Sequence, residues 1–459
     1  MFLPGAFVEK FLFSNVKVWL LLLLLLFSLL GSVMLASLAV YRLQGGEKLG
    51  SISQAALSIA TFPQIVVQLS SGKLKRDDHE VDDRFPDEPG QFSFLRSLVD
   101  SPQYVLLSRY DGNISASVVE LVKEGEPDVL HRWVFDDAER LAFNSNNPFI
   151  LLPEQDKSYT MRIVHPWLTT DGSLFAHAHF GAMYRFGPCG SVEWVNADHM
   201  YHHSLEVDAN GDLWSVGTST IDAPELGFDE TFRDNRAIRL SPNGDVTYQK
   251  SVMEILIENG LGNLVNDYDV YQRDPIHLND VQPVLESADF SRRGDIYLSI
   301  SHLNMMMLFR PETNELLWMS QDAMMQHHDV DIVGPDTIQI FDNRRKTGAN
   351  GLPITLGANQ ILRFSLPDEK ATPVFVDAMN ELDVKTKNQG LADAIEGSGI
   401  MMEDTNAGRL VKLSEGGEPE WSYLNRSDDG RVWTLNWSRY IPADVGDQAL
   451  ENLREAECN

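Results

Sequence analysis

One pattern recurs six times along the chain and limits its possible folds more than any other feature. An apolar pair is followed by Arg, Lys or a substitute, then by a Pro- or Gly-containing turn, then by a strand ending in an aromatic residue. The clearest copies are Met183-Tyr184-Arg185-Phe186-Gly187-Pro188-Cys189-Gly190-Ser191-Val192-Glu193-Trp194 and Ala237-Ile238-Arg239-Leu240-Ser241-Pro242-Asn243-Gly244-Asp245-Val246-Thr247-Tyr248. Leu308-Phe309-Arg310-Pro311 leading to Trp318 and Leu410-Val411-Lys412-Leu413 leading to Trp421 keep the plan, and weaker copies run from Val118 to Trp133 and from Ile361 to Phe375. Each copy is predicted to be a hairpin whose turn tolerates positive φ. The terminal aromatics lie 61, 54, 70, 57 and 46 residues apart, a spacing of one four-stranded blade per unit. The expectation is an all-β fold, a six-bladed β-propeller. A solenoid is the rival, but it need not close, whereas Val432–Ile441 reads as one more strand available to complete a ring.

Ahead of the repeats, Val18 to Tyr41 gives 24 residues without a charge. As a helix they extend roughly 36 Å, enough for a bilayer core of about 30 Å. The rival is a cleaved signal peptide with Ser37-Leu38-Ala39 as its cleavage site, but the apolar run exceeds the usual ~7–15 residues. Lys10 and Lys17 on one side balance Arg42 and Lys48 on the other, so flanking charge leaves the orientation open. The expected organisation is a tail over 1–17, a transmembrane helix over 18–41, a juxtamembrane helix (Ala55–Leu69) and charged linker (Gly72–Gly90) within 42–90, the propeller over 91–445, and a helix and tail over 446–459. Val252–Asn259 and Gln448–Glu457 are predicted short helices.

The chain has 67 acidic against 37 basic residues, a formal net charge of −30. Such a field repels phosphate, and no basic, aromatic-interleaved stretch interrupts it, so nucleic acid is excluded as a partner. Nine Trp, 22 Phe and 12 Tyr argue against disorder. Cys189 and Cys458 allow one bridge at most, too few for a disulfide-stapled scaffold.

In a propeller the innermost strand of each blade lines the central channel. His203 follows Trp194 by nine residues and His328 follows Trp318 by ten, which gives them equivalent positions in different blades. His277 stands at the start of another inner strand, and His302 ends the Ile296–Ser301 strand. Four histidines so placed point to a shared site, while His131, His177, His179 and His199 are ordinary surface or core residues by default. Imidazoles at 202, 203, 277 and 328 are metal ligands by chemistry, but with no short spaced ligand pair recognised beside them, no metal or cofactor is expected. Asp208-Ala209-Asn210-Gly211-Asp212 lacks the rest of a calcium loop and reads as a turn. Met305-Met306-Met307 and Met324-Met325 read as strand packing. No phosphate-binding Gly loop and no Gly-x-Ser-x-Gly elbow is present.

At these residues the chain resembles the arylsulfotransferase family, bacterial propeller enzymes that move a sulfuryl group between phenols without a nucleotide donor, and is closest to a membrane-anchored branch of it. The resembling motifs are His202-His203-Ser204-Leu205-Glu206-Val207-Asp208, His277-Leu278-Asn279, Leu298-Ser299-Ile300-Ser301-His302-Leu303, His327-His328-Asp329-Val330-Asp331-Ile332 and Ile340-Phe341-Asp342-Asn343, within a likeness running from about Phe94 to Val445. The resemblance implies His328 as the transiently sulfated nucleophile, His203 and His277 as its catalytic partners and Asn279 as a positioning amide. Ser301, His302, His327 and Arg344 are implied around the substrate, an aromatic sulfate with a phenol acceptor. The family pattern has Arg where this chain has Ser301. Charge on the equatorial sulfate oxygens needs a cation, and His302, Arg344 or Arg345 stand in reserve, His302 only while protonated. His328 must be neutral, with its other nitrogen held by Asp329 or a backbone carbonyl. Two functions stay open: a sulfotransferase-like enzyme, or a non-catalytic propeller that serves as a binding or assembly module at the membrane. The family's export habit implies a single-pass protein of the bacterial inner membrane, anchored in the lipid bilayer through residues 18–41, with the propeller in the periplasm.

Overall fold

A computed structural model of the chain describes residues 17–43, 49–53, 55–56, 58–60, 79–94, 102–126, 128–135, 162–220, 233–265, 274–347, 353–395 and 397–456. It comprises two compact units, residues 1–78 and 79–459. In the first, helix α1 (Val18–Leu43) contains the charge-free stretch Val18–Tyr41, with a mean hydropathy of 2.7. The leucines from Leu20 to Leu26 are all exposed, and the helix is long and apolar enough to cross a membrane. The predicted helix Ala55–Leu69 and the first part of the Gly72–Gly90 linker lie largely outside the described residues. The later part of that linker belongs to the second unit, where Glu80–Val81 pairs with Val432–Trp433.

The second unit is an all-β, propeller-like arrangement. Among the described residues its strands form one seven-stranded sheet, one of five strands, three of four and two two-stranded ribbons. The strands innermost in the ring are β1 (Ile163–Leu168), β2 (Val192–Val207), β3 (Leu278–Pro283), β4 (His328–Gly334), β5 (Leu391–Ile395) and β6 (Arg439–Ile441). Six separate blades are not what the hydrogen bonding delineates. Four sheets of four or five strands stand alone, and the fifth is continuous over seven. The cause is β2, which runs unbroken for 16 residues, pairing early with Gly181–Phe186 and late with Leu213–Thr220. No Gly or Pro interrupts it between Trp194 and His203, so the chain passes from one rim to the channel without a turn.

All six sequence copies fall on outer hairpins, and the recurring residues have a physical reason. Arg185 pairs across with Trp194, Arg239 with Tyr248 and Lys412 with Trp421. Four of the aromatics reach sideways to the next hairpin through indole Nε1: Trp133 donates to the Gly187 carbonyl (3.4 Å), Trp194 to Pro242 (3.0 Å), Trp318 to Asp368 (3.2 Å) and Trp421 to the Glu124 carboxylate (2.9 Å). Gly244 has φ +87°, and a Cβ there would lie 2.7 Å from the Trp194 ring, so this turn needs glycine for its conformation and for the neighbour's indole alike.

There is no single core. Six apolar clusters among the described residues lie between neighbouring sets of strands, for example Phe175, Met183, Leu205 and Ile238 in one seam and Phe341, Ile361, Ala392 and Val411 in another. Met305, Met306 and Met307 are buried in two of them, as packing predicts. Helix α2 (Val252–Glu258) covers one rim, starting at Ser251, whose hydroxyl accepts from the Glu254 N–H. Helix α3 (Ala443–Glu455) adds Ala449, Leu450 and Leu453 to another seam.

The ring is closed by both ends of the chain. β6 pairs with Tyr104–Asp111, while Gln91–Phe94 pairs outside Pro419–Leu424. Across that seam Lys412 and Glu124, both buried, form an ion pair at 3.0 Å, with Glu420 at 3.3 Å and the Tyr440 hydroxyl at 3.1 Å from Nζ. Removing one member of such a pair strands the other charge, at a cost of about 3–5 kcal/mol. Glu124→Ala is expected to lose about that much unfolding free energy in urea titrations, and Glu124→Leu combined with Lys412→Met to recover most of it. Equal losses in the single and double variants would show that the pair does not hold the seam.

Candidate active site

Each innermost strand carries, at or near its start or, in β2, close to its end, a residue other than glycine in the left-handed region: His165 (φ 48°), His203 (62°), His277 (46°), Asp329 (40°), Gln389 (64°) and Trp437 (60°). Register shifts accompany four of them. Such bulges turn a side chain out of its strand, and the conformation costs of order 1–3 kcal/mol per residue. Repeated around the ring, they gather imidazoles at one end of the channel.

His203 lies at the centre of that cluster. Its ring centroid is 5.4 Å from His277, 5.3 Å from His328, 4.9 Å from His202, 5.2 Å from His179 and 5.8 Å from Trp437. His203 and His202 share a hydrogen bond between their Nδ1 atoms (2.6 Å), and His202 Nε2 meets the Thr218 hydroxyl at 2.8 Å. Phe180 stacks on His202. His328 is held at both nitrogens. Nδ1–H donates to Asn343 Oδ1 (2.6 Å), Nε2 accepts from the Gln389 N–H (3.1 Å), and Asn343 is itself fixed by donating to the Gln389 carbonyl at 2.6 Å. The ring is therefore the Nδ1–H tautomer. Its acceptor is the Asn343 amide rather than Asp329, whose carboxylate is committed to the Ala392 N–H at 2.8 Å. His277 donates Nδ1–H to Asp274 Oδ2 (2.7 Å), and its ring stacks on His302 at 4.5 Å.

The other sequence-predicted residues divide. Ser301 is buried, and its N–H donates to the His277 carbonyl at 3.1 Å. Asn279 lies in the seam between strands, where Nδ2 donates to the His327 carbonyl at 2.8 Å. His327 is fully buried on that seam. Arg344 turns to the Ala358 carbonyl (3.3 Å). Its neighbour Arg345 is the one whose charge bears on His302 and His328.

Several groups at the site were not singled out from sequence. Arg233 lies over Phe180 (5.1 Å) and 4.0 Å from Asp274. Arg162 donates to the side chains of Gln389 and Asn436 and bears electrostatically on His179. His179 and His177, taken as ordinary by default, both belong here, since His177 Nε2 lies 3.2 Å from the His203 carbonyl. The legible signal was a second motif, His177-Ala178-His179, one strand away from His203.

Burial holds His165, His179, His202, His203 and His328 well below the ordinary imidazole range, helped by the charges of their neighbours. His328 is thus neutral, as a nucleophile requires. His302 is pushed down to about 4 by burial and by His277, which removes it as a stand-in cation near neutral pH. For Asp274 burial acts upward, but His277, His302 and Asn235 more than offset it and keep the carboxyl below its usual range. Deeper in the channel, burial raises Asp280, Asp329, Asp331 and Asp393, while Glu206 is paired with Arg439 at 3.0 Å.

The arylsulfotransferase (ASST) family matches residues 181–426, just over half of the chain. No curated protein matches it. Among solved structures, selenomethionine-substituted virginiamycin B lyase from Staphylococcus aureus is similar at 9% identity, over 61% of this chain and 84% of that one, with a TM-score of 0.34.

The buried imidazoles carry a thermodynamic signature that can be measured without a substrate. His177 is pushed down to about 4 by burial, against the carbonyls of Ala178, His203 and Ser204. Between pH 6.5 and about 4 the unfolded chain binds this proton and the native chain does not, so native stability falls as pH falls through that window. His177→Gln removes up to about 1.4 kcal/mol per pH unit from that slope. The raised carboxylates act in the opposite sense in both proteins and cancel in the comparison. Urea midpoints at pH 7, 6 and 5 are expected to decline more steeply for the wild type, and parallel declines would mean that His177 titrates normally.

Proposed function

Because the chain belongs to the arylsulfotransferase family, we propose that it transfers a sulfuryl group from a phenolic sulfate to a phenol through His328. The observation that supports this most is the fixed tautomer of His328, neutral, with Nδ1–H on Asn343 and its lone pair on Nε2, in a ring whose centroid lies 5.3 Å from that of His203. In the first step Nε2 attacks sulfur. The N–S bond forms, the S–O(aryl) bond breaks with its electron pair leaving on the phenolate, and His277, entering as the imidazolium with Nδ1–H on Asp274, gives the phenolate its proton while neutral His203 lines the site. In the second step the acceptor phenol gives its proton to His277 and attacks sulfur, and the N–S bond breaks. Positive charge on the sulfated ring is stabilised at Nδ1–H by Asn343. This is positioning and charge stabilisation, as in phosphoryl transfer.

The sulfate's cations come from Arg345 and Arg233, with Arg162 behind Gln389. They take the part that Ser301 does not play. Asn279 and His327 support the seam beside the nucleophile. The ring that holds this site is made of four separate sheets and one seven-stranded sheet continuous through β2. Residues 91–445 form the propeller, and α1 anchors it in the bacterial inner membrane as a single-pass protein with the propeller in the periplasm. Cys189 is disulfide-bonded, which fits an oxidising compartment.

One observation favours the second reading, a propeller that binds without turnover. Gln389 N–H occupies the His328 lone pair, and attack requires that bond to open. Incubating the full-length protein in detergent with a chromogenic aryl sulfate and a phenol acceptor separates the two. Under the transfer reading, phenol is released, a sulfuryl adduct maps to His328 by mass analysis, and His328→Asn lowers turnover by at least ~10³-fold. Neither release nor adduct from folded protein would leave only the binding role. Among the cations, Arg345→Met is expected to lower kcat/KM at least ~10-fold and Arg344→Met to change it little. The reverse ranking would return the role to Arg344.

A further inference from the structure

We propose that Asp274, His277 and His302 form a binding site for a divalent transition-metal ion at the mouth of the channel. Among the described residues this is the one group of three His, Cys, Asp or Glu side chains whose ligand-capable atoms all lie within 4.8 Å of one another. Metal bonds of about 2.0–2.2 Å set ligand atoms ~3.5 Å apart, so His277 Nδ1 and Asp274 Oδ2, hydrogen-bonded at 2.7 Å, have to part slightly on binding while no pair in the group has to close from beyond 4.8 Å. They have room to move, since Asp274 and His277 are only partly buried.

The groups around these ligands are those a metal site needs. His302 donates Nδ1–H to the Asp274 carbonyl at 2.6 Å, which fixes the tautomer with its lone pair on Nε2. Asn235 donates to Asp274 Oδ1 at 2.8 Å and orients the carboxylate. Hydrogen bonds of both kinds hold metal-ligating groups in place. Two imidazoles and a carboxylate suit Zn²⁺ and its first-row neighbours rather than Ca²⁺ or Mg²⁺, and three protein ligands leave a coordination position for water or an anion. Binding replaces the proton that His277 Nδ1 shares with Asp274, which is released to solvent.

The sequence displays two of the three ligands. Asp274 and His277 stand three residues apart, but the pair gains meaning only when the strand Ile296–Ile300 returns His302 to the same point. The existence of the site does not depend on sulfuryl transfer. Only its role rests on that reading: a permanent cation facing sulfate oxygens beside Ser301, where the chain has no arginine.

The test uses full-length protein in detergent, stripped of metal with a chelator, then titrated with Zn²⁺ by calorimetry and with Co²⁺ by visible absorption. One equivalent of Zn²⁺ is expected to bind, with affinity falling at least ~10-fold in Asp274→Asn and in His302→Gln and less in Asn235→Ala. His199→Gln, away from the site, should bind as the wild type does. Thermal unfolding checks that each variant is folded, and Zn²⁺ should raise the wild-type Tm by mass action. If a ligand variant does not fold, the wild-type Co²⁺ spectrum decides: four- or five-coordinate nitrogen and oxygen bands support the site, and the weak bands of hydrated Co²⁺ overturn it. Wild-type binding no tighter than that of Asp274→Asn also overturns it. The aryl sulfate assay is scored separately. Transfer without metal binding refutes the metal site alone, and metal binding without transfer refutes the enzyme alone.

Discussion

Everything in the second unit depends on the covering of sheet faces by neighbouring sheets. Each set of strands is apolar on both sides, and the apolar clusters lie in the seams, so no set has a core of its own. Only a closed ring covers all of them. That requirement explains why the fasteners run sideways: indole Nε1 groups to the next hairpin at the rim, and inner-strand side chains to the next strand's backbone near the axis. Asp280 accepts from the Val330 N–H, Asp329 from Ala392, Asp331 from Ala394 and Asp393 from Tyr440, all within 3.0 Å. Ser204 does the same for Val281 at 3.2 Å.

The site is a consequence of the same geometry. Inner strands that are fastened to one another near the middle can bulge toward the site, as four of them do, and each carries a left-handed residue that glycine would adopt more cheaply. Side chains there are held by the ring rather than by their own strand. His328 illustrates this. Its strand supplies the ring, Asn343 supplies the acceptor from the loop after the next strand, and Gln389 supplies the donor from the segment leading into β5. Preorganisation of this kind needs no ligand to assemble it, which is what transition-state stabilisation by fixed dipoles demands.

Much of the ring was legible in the sequence because its fasteners repeat. Trp194, Trp318 and Trp421 recur since an indole must find an acceptor at each rim, and turn glycines such as Gly190, Gly244 and Gly417 recur since the backbone there has positive φ. The similar offsets of His203 and His328 from the preceding aromatic, nine and ten residues, gave them equivalent positions in different blades, and the structure brings them together with His277. The rest lay beyond pattern. Continuity of β2 is the absence of a breaker, which a repeat search does not register. Arg162 and Arg233 come from segments with no spacing relation to the histidines, the motif ending in Asn343 gave no role to that amide, and positive φ at His277 or Gln389 leaves no trace in residue type. Asp329, adjacent in sequence to His328, looked like its acceptor, yet it is the bulged residue of its strand, and its carboxyl is taken by the Ala392 N–H of the next strand instead.

The net charge of −30 is a difficulty for any anionic ligand, and burial relieves it where it matters. At the surface, charges are screened over about 8 Å at physiological salt. Inside the channel screening fails, and five carboxyl groups stand below the imidazoles. Glu206 is neutralised by Arg439, and Asp280, Asp329, Asp331 and Asp393 have their pKa values raised by the removal of water and by one another. The burial that favours the neutral carboxylic acid also favours the neutral imidazole in His203 and His328. Both classes of titratable group therefore lose charge together. The guanidinium groups do not, because arginine stays protonated at any accessible pH. Arg162, Arg233 and Arg345 thus keep positive charge that bears on His179, His202 and His328 in a strongly acidic chain without an arginine at position 301.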